Sequence, residues 1–364
     1  MSRVILDNIV FELQGVGGIS KIWYKKIQYF QENALFDVKY VEGPNMDGNI
    51  FRKKLKLNKS DIIADKIYPL AFRRYSSVRT KGPGVFHSSY FRTTKNKKMK
   101  QVVTVHDCGY EKFSKGFKRS AHIWQKKKAL EVADIIISVS HNTKRELYYY
   151  YPWIKNKIVR VVPNGADDEF HLLERKPEEI TINGVMIRKK KILLYVGGRN
   201  FHKNFSSIFN LLETQAANEN DLSIIVAGGE KPSIIEINQI KEKGLEDKVR
   251  FIGKISNTDL NLLYNMAFCL VFPSFYEGFG IPVIESMRAG CPVLSSDMSS
   301  LHEVGGSGGL FFSPENKNDM KEKFYKLFDE KFRKQLIDYG LKRSMEYSWE
   351  KTYNAINGIY NELL

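Results

Sequence analysis

Apolar residues along this chain come in short runs, separated by longer stretches in which they recur every three or four positions. The runs are VILDN (4–8), FDVKYVE (36–42), GVFHSSY (84–90), QVVTVHD (101–107), DIIISVS (134–140) and VRVVPNG (159–165). A second set follows with ILLYVGG (192–198), LSIIVAGG (222–229), VRFIGK (249–254), AFCLVFPS (267–274), PVLSSD (292–297) and GLFFS (309–313). Runs of this kind predict buried strands of a parallel sheet. Helical patterns lie between several of them, as in SKIWYKKIQYFQ (20–31) and AHIWQKKKALEVA (121–133). Strands alternating with helices predict doubly wound α/β layers. The plan occurs twice, so two domains are expected, 1–175 and 176–347, with a polar linker in HLLERKPEEITINGVMIRKKK (171–191). A last helix is expected over 348–364.

The stretch SFYEGFGIPVIESMRAGCPVLSS (274–296) holds the most pointed chemistry. FYEGFG reads as a loop, because two glycines in three residues tolerate unusual φ. Pro282 suits the first turn of a helix, and Gly290 with Pro292 stops it. Glu277 then sits on a strand-to-helix loop and Glu285 in the opening turns of the helix. Both face the carboxyl end of a parallel sheet, where open α/β folds bind ligands. The free amides of residues 279 to 281 favour an anion there.

Composition changes this picture little. The chain has 364 residues, 43% of them hydrophobic, with no apolar run near 18 residues and no signal-peptide pattern. Three scattered cysteines fit a reducing compartment and argue against a disulfide scaffold or a zinc site. Charge is informative once divided. Residues 1–175 hold 33 Lys and Arg against 17 Asp and Glu, whereas residues 176–364 hold 24 of each. Zinc-finger spacing and RNP-type aromatic motifs are absent, so no nucleic-acid partner is expected. The basic half suits an anionic membrane surface, or an anionic substrate carried on one.

Together these residues resemble the retaining GT-B glycosyltransferases of family 4. The Glu-x7-Glu element in EGFGIPVIESMRAGCPV is the most specific match. VGGRNFHKN (196–204), GGIS (17–20), TVHD (104–107), SVSHNTKREL (138–147), VVPNGADDEF (161–170) and SWEKT (348–352) extend it over most of the chain. The amino end, VILDNIVFELQGVGGISKIWY, is similar to bacterial enzymes that build O-antigen and capsule polysaccharides. The resemblance implies a GT-B fold, with two Rossmann-like domains facing a cleft and the 348–364 helix returning to the first domain. It implies transfer of a hexose from a nucleotide-sugar, GDP-mannose by the nearest likeness, with retention of configuration. The acceptor would be a lipid-linked saccharide, and the enzyme cytoplasmic, peripheral at the inner face of the membrane.

Roles follow residue by residue. Arg199 and Lys203 would stabilise the leaving diphosphate, whose charge grows as the glycosidic bond breaks. Gly17 and Gly18 would let the backbone close on that diphosphate. Glu285 would accept the ribose hydroxyls and Glu277 the donor-sugar hydroxyls, since a carboxylate accepts paired O–H donors well. The amides of Phe279, Gly280 and Ile281 would take sugar or phosphate oxygens, and backbone at Gly253 and Ile255 would meet the base. His106 would lie against the donor sugar. Asp107 and Glu111, in HDCGYE, would orient it or contact the acceptor, although Cys108-Gly109-Tyr110 departs from the family's Ile-Pro filling. No Asp-x-Asp occurs, so neither metal nor cofactor is expected. The stretches KFSKGFKRSAHIWQKKK (112–128) and FRKKLKLNKS (51–60) would meet the anionic leaflet. Two alternatives stand beside this: a GT-B enzyme with a soluble sugar-phosphate or glucan acceptor, and an inactive saccharide- or nucleic-acid-binding protein.

Overall fold

The structure is a computed structural model that describes residues 2–65, 69–188 and 191–364. The chain forms two compact units, one of Met1–Asn164 with Trp349–Leu364, the other of Gly165–Ser348. The boundary therefore falls before the expected 175, and residues 165–175 belong to the second unit. The 348–364 segment forms the Trp349–Leu363 helix, counted with the first.

In the first unit seven strands form one parallel sheet. They are β1 (Arg3–Asp7), β2 (Asp37–Glu42), β3 (Ile62–Ala64), β4 (Gly84–Ser88), β5 (Met99–Val105), β6 (Ile135–Ser138) and β7 (Ile158–Val161), in the order β3-β2-β1-β4-β5-β6-β7. The apolar runs explain the buried strands: every residue of β4 and β6 is buried. Trp23, Ile27 and Phe30 on the Gly18–Asn33 helix meet Tyr353, Ile356 and Tyr360 of the last helix in the same core. Tyr353 Oη donates to Ile22 O at 2.7 Å, and the Phe30 and Tyr360 rings stack 5.5 Å apart.

The second unit begins with a feature that the sequence reading took for a linker. Glu179–Ile182 (β8) and Val185–Arg188 (β9) form an antiparallel hairpin. Asn183 and Gly184, both at positive φ, make its two-residue turn. Then come β10 (Ile192–Val196), β11 (Ser223–Ala227), β12 (Val249–Gly253), β13 (Cys269–Phe272), β14 (Val293–Ser296) and β15 (Gly309–Phe312), all parallel, in the order β12-β11-β10-β13-β14-β15. Each sheet thus winds outward one way from its first strand and then the other way from its fourth, as in a Rossmann fold.

Candidate active site

The second unit carries its candidate residues on two loops, at the carboxyl ends of the adjacent strands β10 and β13. Winding reverses between these strands, which is where open α/β sheets bind ligands. β13 passes into Pro273 and a loop that ends at Gly280, and the Ile281–Arg288 helix starts with Pro282 in its first turn. Gly280 has φ 105°, and a Cβ there would stand 2.7 Å from Leu301 Cδ2. Glycine is therefore required for backbone and space together. Three serines at and just after the end of β14 staple the loop. Ser296 Oγ donates to Ser274 O at 2.5 Å, Glu277 N donates to Ser299 Oγ at 2.8 Å, and Ser300 Oγ reaches Glu277 O and Phe279 O, both at 2.9 Å.

On this frame the Glu277 carboxylate meets Lys203 Nζ at 2.8 and 2.7 Å and accepts from Ser274 Oγ at 2.8 Å. Lys203 ends the short Phe201–Lys203 turn after β10. Phe275 N donates to His202 O at 2.8 Å, so the two loops are joined by backbone as well. The amides of Phe279, Gly280 and Ile281 have no acceptor among the described residues. Glu285 is buried one turn into the helix, with the Tyr264 hydroxyl 3.4 Å away. Gly253 ends β12 at φ 70°, and Asn183 of the hairpin turn donates to Ile252 O at 2.7 Å and Lys254 O at 3.1 Å, fixing the turn that leads to Ile255.

Arg199 differs from expectation. Its side chain is only 6% exposed. Nε donates to Glu236 Oε1 at 2.6 Å, Nη2 donates to the Glu230 and Lys231 carbonyls at 2.7 and 3.0 Å, and the guanidinium lies 5.0 Å from the Phe251 ring. Glu236 in turn closes a capping box with Ser233 at the start of the Ile234–Glu242 helix. Burial alone would raise the Glu236 pKa; bonds from Ser233 and Arg199 outweigh it and hold the carboxyl below its ordinary value. Arg199 is thus a cross-link between loops rather than an exposed cation, and only Nη1 lacks a protein partner. Glu236, 37 positions away in sequence, carries no local signal that could have paired it with Arg199.

In the first unit, Gly17 and Gly18 precede and open the Gly18–Asn33 helix, with Ser20 Oγ donating to Gly17 O at 2.9 Å. His106 follows β5 directly and lines an enclosed cavity of about 20 Å³ with Trp23, Lys26, Ser88, Thr104 and Asn164, room for about one water molecule. Burial lowers the His106 pKa to about 4; Lys26 and Lys126 add to this and Asp107 opposes it. Its Nδ1 has no partner. Lys26, which the sequence reading passed over, is fully buried, 3.4 Å from His87 Nδ1 and 4.2 Å from the Trp23 ring centre. Burial drives its pKa well below the lysine range.

Asp107 Oδ1 accepts from Gly109 N at 2.8 Å. Glu111 is buried and bonded within the unit. Its side chain is 2% exposed, Lys126 Nζ lies 2.7 Å from Oε1 and 2.9 Å from Oε2, and Tyr151 Oη donates to Oε1 at 2.6 Å. Lys126 therefore departs from the expected basic face. Successive residues of a helix point about 100° apart, so three lysines in a row cannot share one face, and here Lys126 turns inward. The outer face of the Gly116–Val132 helix shows Phe117, 87% exposed, and Trp124, 53% exposed, with Lys128 Nζ 5.1 Å from the Trp124 ring. In 51–60, Arg52 pairs with Glu42 and Leu55 is buried, while Lys53, Lys54, Lys56 and Lys59 remain exposed. Among the described residues no helix is long and apolar enough to cross a membrane, and no three His, Cys, Asp or Glu cluster as metal ligands.

Two Rossmann-like units, one with a Lys–Glu pair and free amides at its switch point, define a GT-B fold. The family model described as glycosyl transferases group 1 matches residues 178–343, and that of Glycosyltransferase Family 4 matches residues 42–170. Glycosyltransferase family models thus match both units of the chain. It is 28% identical to O-antigen chain mannosyltransferase B of Escherichia coli over 237 residues, 63% of this chain and 61% of that one. It is 26% identical to O-antigen chain mannosyltransferase RfbU of Salmonella typhimurium over 219 residues, 60% of this chain and 58% of that one. The chain thus spans about three-fifths of these relatives' lengths. A sucrose-phosphate synthase from Thermosynechococcus elongatus superimposes with a TM-score of 0.74 at 19% identity, covering 100% of this chain and 99% of that one.

Proposed function

We propose that this chain is a retaining glycosyltransferase that moves a hexose from a nucleotide-sugar to a lipid-linked saccharide during assembly of a cell-surface polysaccharide. The observation that carries the reading is the stapled 273–280 loop, which sets the Lys203–Glu277 pair, three unbonded amides and Glu285 around one switch point. The diphosphate leaves toward Lys203 and the amides of Phe279, Gly280 and Ile281. Preorganised cations and N–H groups are worth most where charge develops. Glu277 holds donor-sugar hydroxyls once the ligand opens its bond to Lys203, and Glu285 holds the ribose. The acceptor hydroxyl attacks on the face the diphosphate leaves, and a departing phosphate oxygen takes its proton. No protein carboxylate serves as nucleophile and no metal takes part. The mannosyltransferase names of the two bacterial relatives support GDP-mannose as donor. The exposed Phe117 and Trp124, with Lys128 beside the Trp124 ring, support a peripheral site at the cytoplasmic face of the membrane.

A second reading, a soluble sugar-phosphate acceptor, is favoured by the likeness to sucrose-phosphate synthase and by 29% identity over 177 residues to mannosylfructose-phosphate synthase of Agrobacterium fabrum. A thermal-shift screen of nucleotide-sugars in excess EDTA, followed by transfer assays with both acceptor types, tests the proposal. A cognate donor at 100 times its Kd stabilises by about 2.7 kcal/mol. Absence of any donor-dependent shift refutes the donor site; a shift that needs Mg2+ refutes metal independence; and transfer only to sugar phosphate selects the second reading.

A further inference from the structure

The Gly116–Val132 helix has an inward residue that the chemistry above does not use. Lys126 has a fully buried side chain, and a buried ammonium is retained only when its geometry is well satisfied. Here Nζ binds both Glu111 oxygens and also donates to the carbonyl of Asp107 at 3.0 Å. Glu111 is further held by Tyr151 at the end of the His141–Tyr150 helix. Asp107 closes its own turn onto Gly109 N. One ammonium therefore ties two helices to the backbone of the His106–Asp107 turn. On the side of His106 the ring adds no bond through Nδ1, which is buried without a partner among the described residues.

We infer that Lys126 is a positioning residue: through Glu111 and the Asp107 carbonyl it fixes where His106 stands. The inference rests on the reading of His106 as the group that faces the transferred sugar. Two features separate it from simple packing. An apolar residue would fill the same space without burying a charge, and is often no less stable. And the Nζ bond to a backbone carbonyl acts on the Asp107–Cys108 peptide, one residue beyond His106, which a generic buried ion pair would not do. Lys126 also lies close enough to His106 to oppose its protonation, together with Lys26 from the Gly18–Asn33 helix and against Asp107; His87 on β4 is the remaining titratable neighbour.

The test uses the full chain with four variants. Lys126→Met/Glu111→Gln removes the pair while leaving no charge buried alone. Lys126→Arg keeps the charge and the Glu111 pair but displaces the single Nζ bond to Asp107. His106→Ala reports on the underlying reading, and Lys127→Met is a surface control on the same helix. Turnover, nucleoside-diphosphate affinity and the His106 imidazole titration by NMR are measured on each. The double variant is expected to fold, to bind nucleoside diphosphate unchanged and to lose at least tenfold in kcat, with His106 titrating at a higher pH than in the native protein. Lys126→Arg is expected to fall between the two, and it carries the test alone if the double variant fails to fold. Native turnover in Lys126→Arg and in any folded double variant, with His106→Ala inactive, overturns the positioning role and leaves the reading of His106 standing. Native turnover in His106→Ala overturns both. A lowered kcat with an unmoved His106 titration and equally weakened nucleotide binding reduces Lys126 to a structural residue and overturns the proposal.

Discussion

Arg199 and Lys203 match the same basic motif, yet their surroundings predict opposite consequences for their loss. Arg199→Met strands Glu236, whose side chain is 14% exposed, and two carbonyls that the guanidinium bonds. Breaking a buried pair costs about 3–5 kcal/mol. The remaining Ser233 bonds to Glu236 place this case at the lower end, about 3 kcal/mol. For a unit the size of residues 165–348 each kcal/mol lowers Tm by about 2–4 °C, so a fall of about 6–12 °C is expected. Lys203 is 23% exposed, and Glu277, 12% exposed, keeps its bond from Ser274 Oγ when Lys203 is removed, so the pair is placed at the upper end for accessible pairs, about 1 kcal/mol. Lys203→Met should therefore change Tm by no more than about 2–4 °C while lowering kcat by about 100-fold, the scale for one lost charge donor. Differential scanning calorimetry and initial rates on the two variants separate these effects, with Glu236→Gln as a check that should reproduce the Tm loss of Arg199→Met. If Arg199→Met keeps its Tm within about 2 °C of native and loses turnover as Lys203→Met does, the cross-link argument is wrong and Arg199 is a second free diphosphate cation.

Other perturbations test the remaining roles. Glu285→Ala should weaken binding of free nucleoside diphosphate, and Glu277→Ala should spare it but lose the added affinity of the intact donor; calorimetric titration with both ligands would show the reverse if the two roles are exchanged. His106, with its pKa lowered from 6.5 to about 4, stays neutral through the physiological range. The native protein refuses a proton that the unfolded chain accepts, so its contribution to stability is complete above about pH 6.5 and declines toward pH 4; the stability difference between native protein and His106→Ala in denaturant titrations should change with pH only in that window, and a difference that still changes above pH 7 would contradict the burial argument. Phe117→Ser with Trp124→Ser should reduce flotation with anionic vesicles, an attraction that weakens as the Debye length falls from about 10 Å at 0.1 M salt to about 3 Å at 1 M. Flotation unchanged by both substitutions would remove the membrane face from the proposal.

Much of the fold is legible in the sequence because parallel strands buried on both faces are written as unbroken apolar runs. Pro282, Gly280 and Gly290 likewise mark their helix without help from distant residues. The features that escaped have physical reasons. β8 and β9 are four residues each, too short for alternation to stand out from polar surroundings, although the intervening Asn-Gly is a hairpin signal. In 126–128 the letters KKK say that the helix is basic but not which lysine turns inward; that depends on Glu111, placed 15 residues earlier by another helix. Arg199 and Lys203 are indistinguishable as letters, and only tertiary neighbours decide that one is buried against Glu236 and the other pairs with Glu277. Lys26 gives no warning at all, since its burial follows from helix docking and not from local pattern.

The Trp349–Leu363 helix also sets a timetable. It is made after the whole of the second unit, yet Tyr353, Ile356, Ile359 and Tyr360 belong to the core of the unit begun first. At about 5–20 residues per second, the ~180 residues between Asn164 and Trp349 take roughly 10–35 s to synthesise. Throughout that interval the amino-terminal sheet waits with an apolar face uncovered, and at Ser348 the second unit is complete while the first is not. The later-born unit can mature before the earlier one, and a chain stopped before Trp349 leaves the ribosome with its first-made core still open.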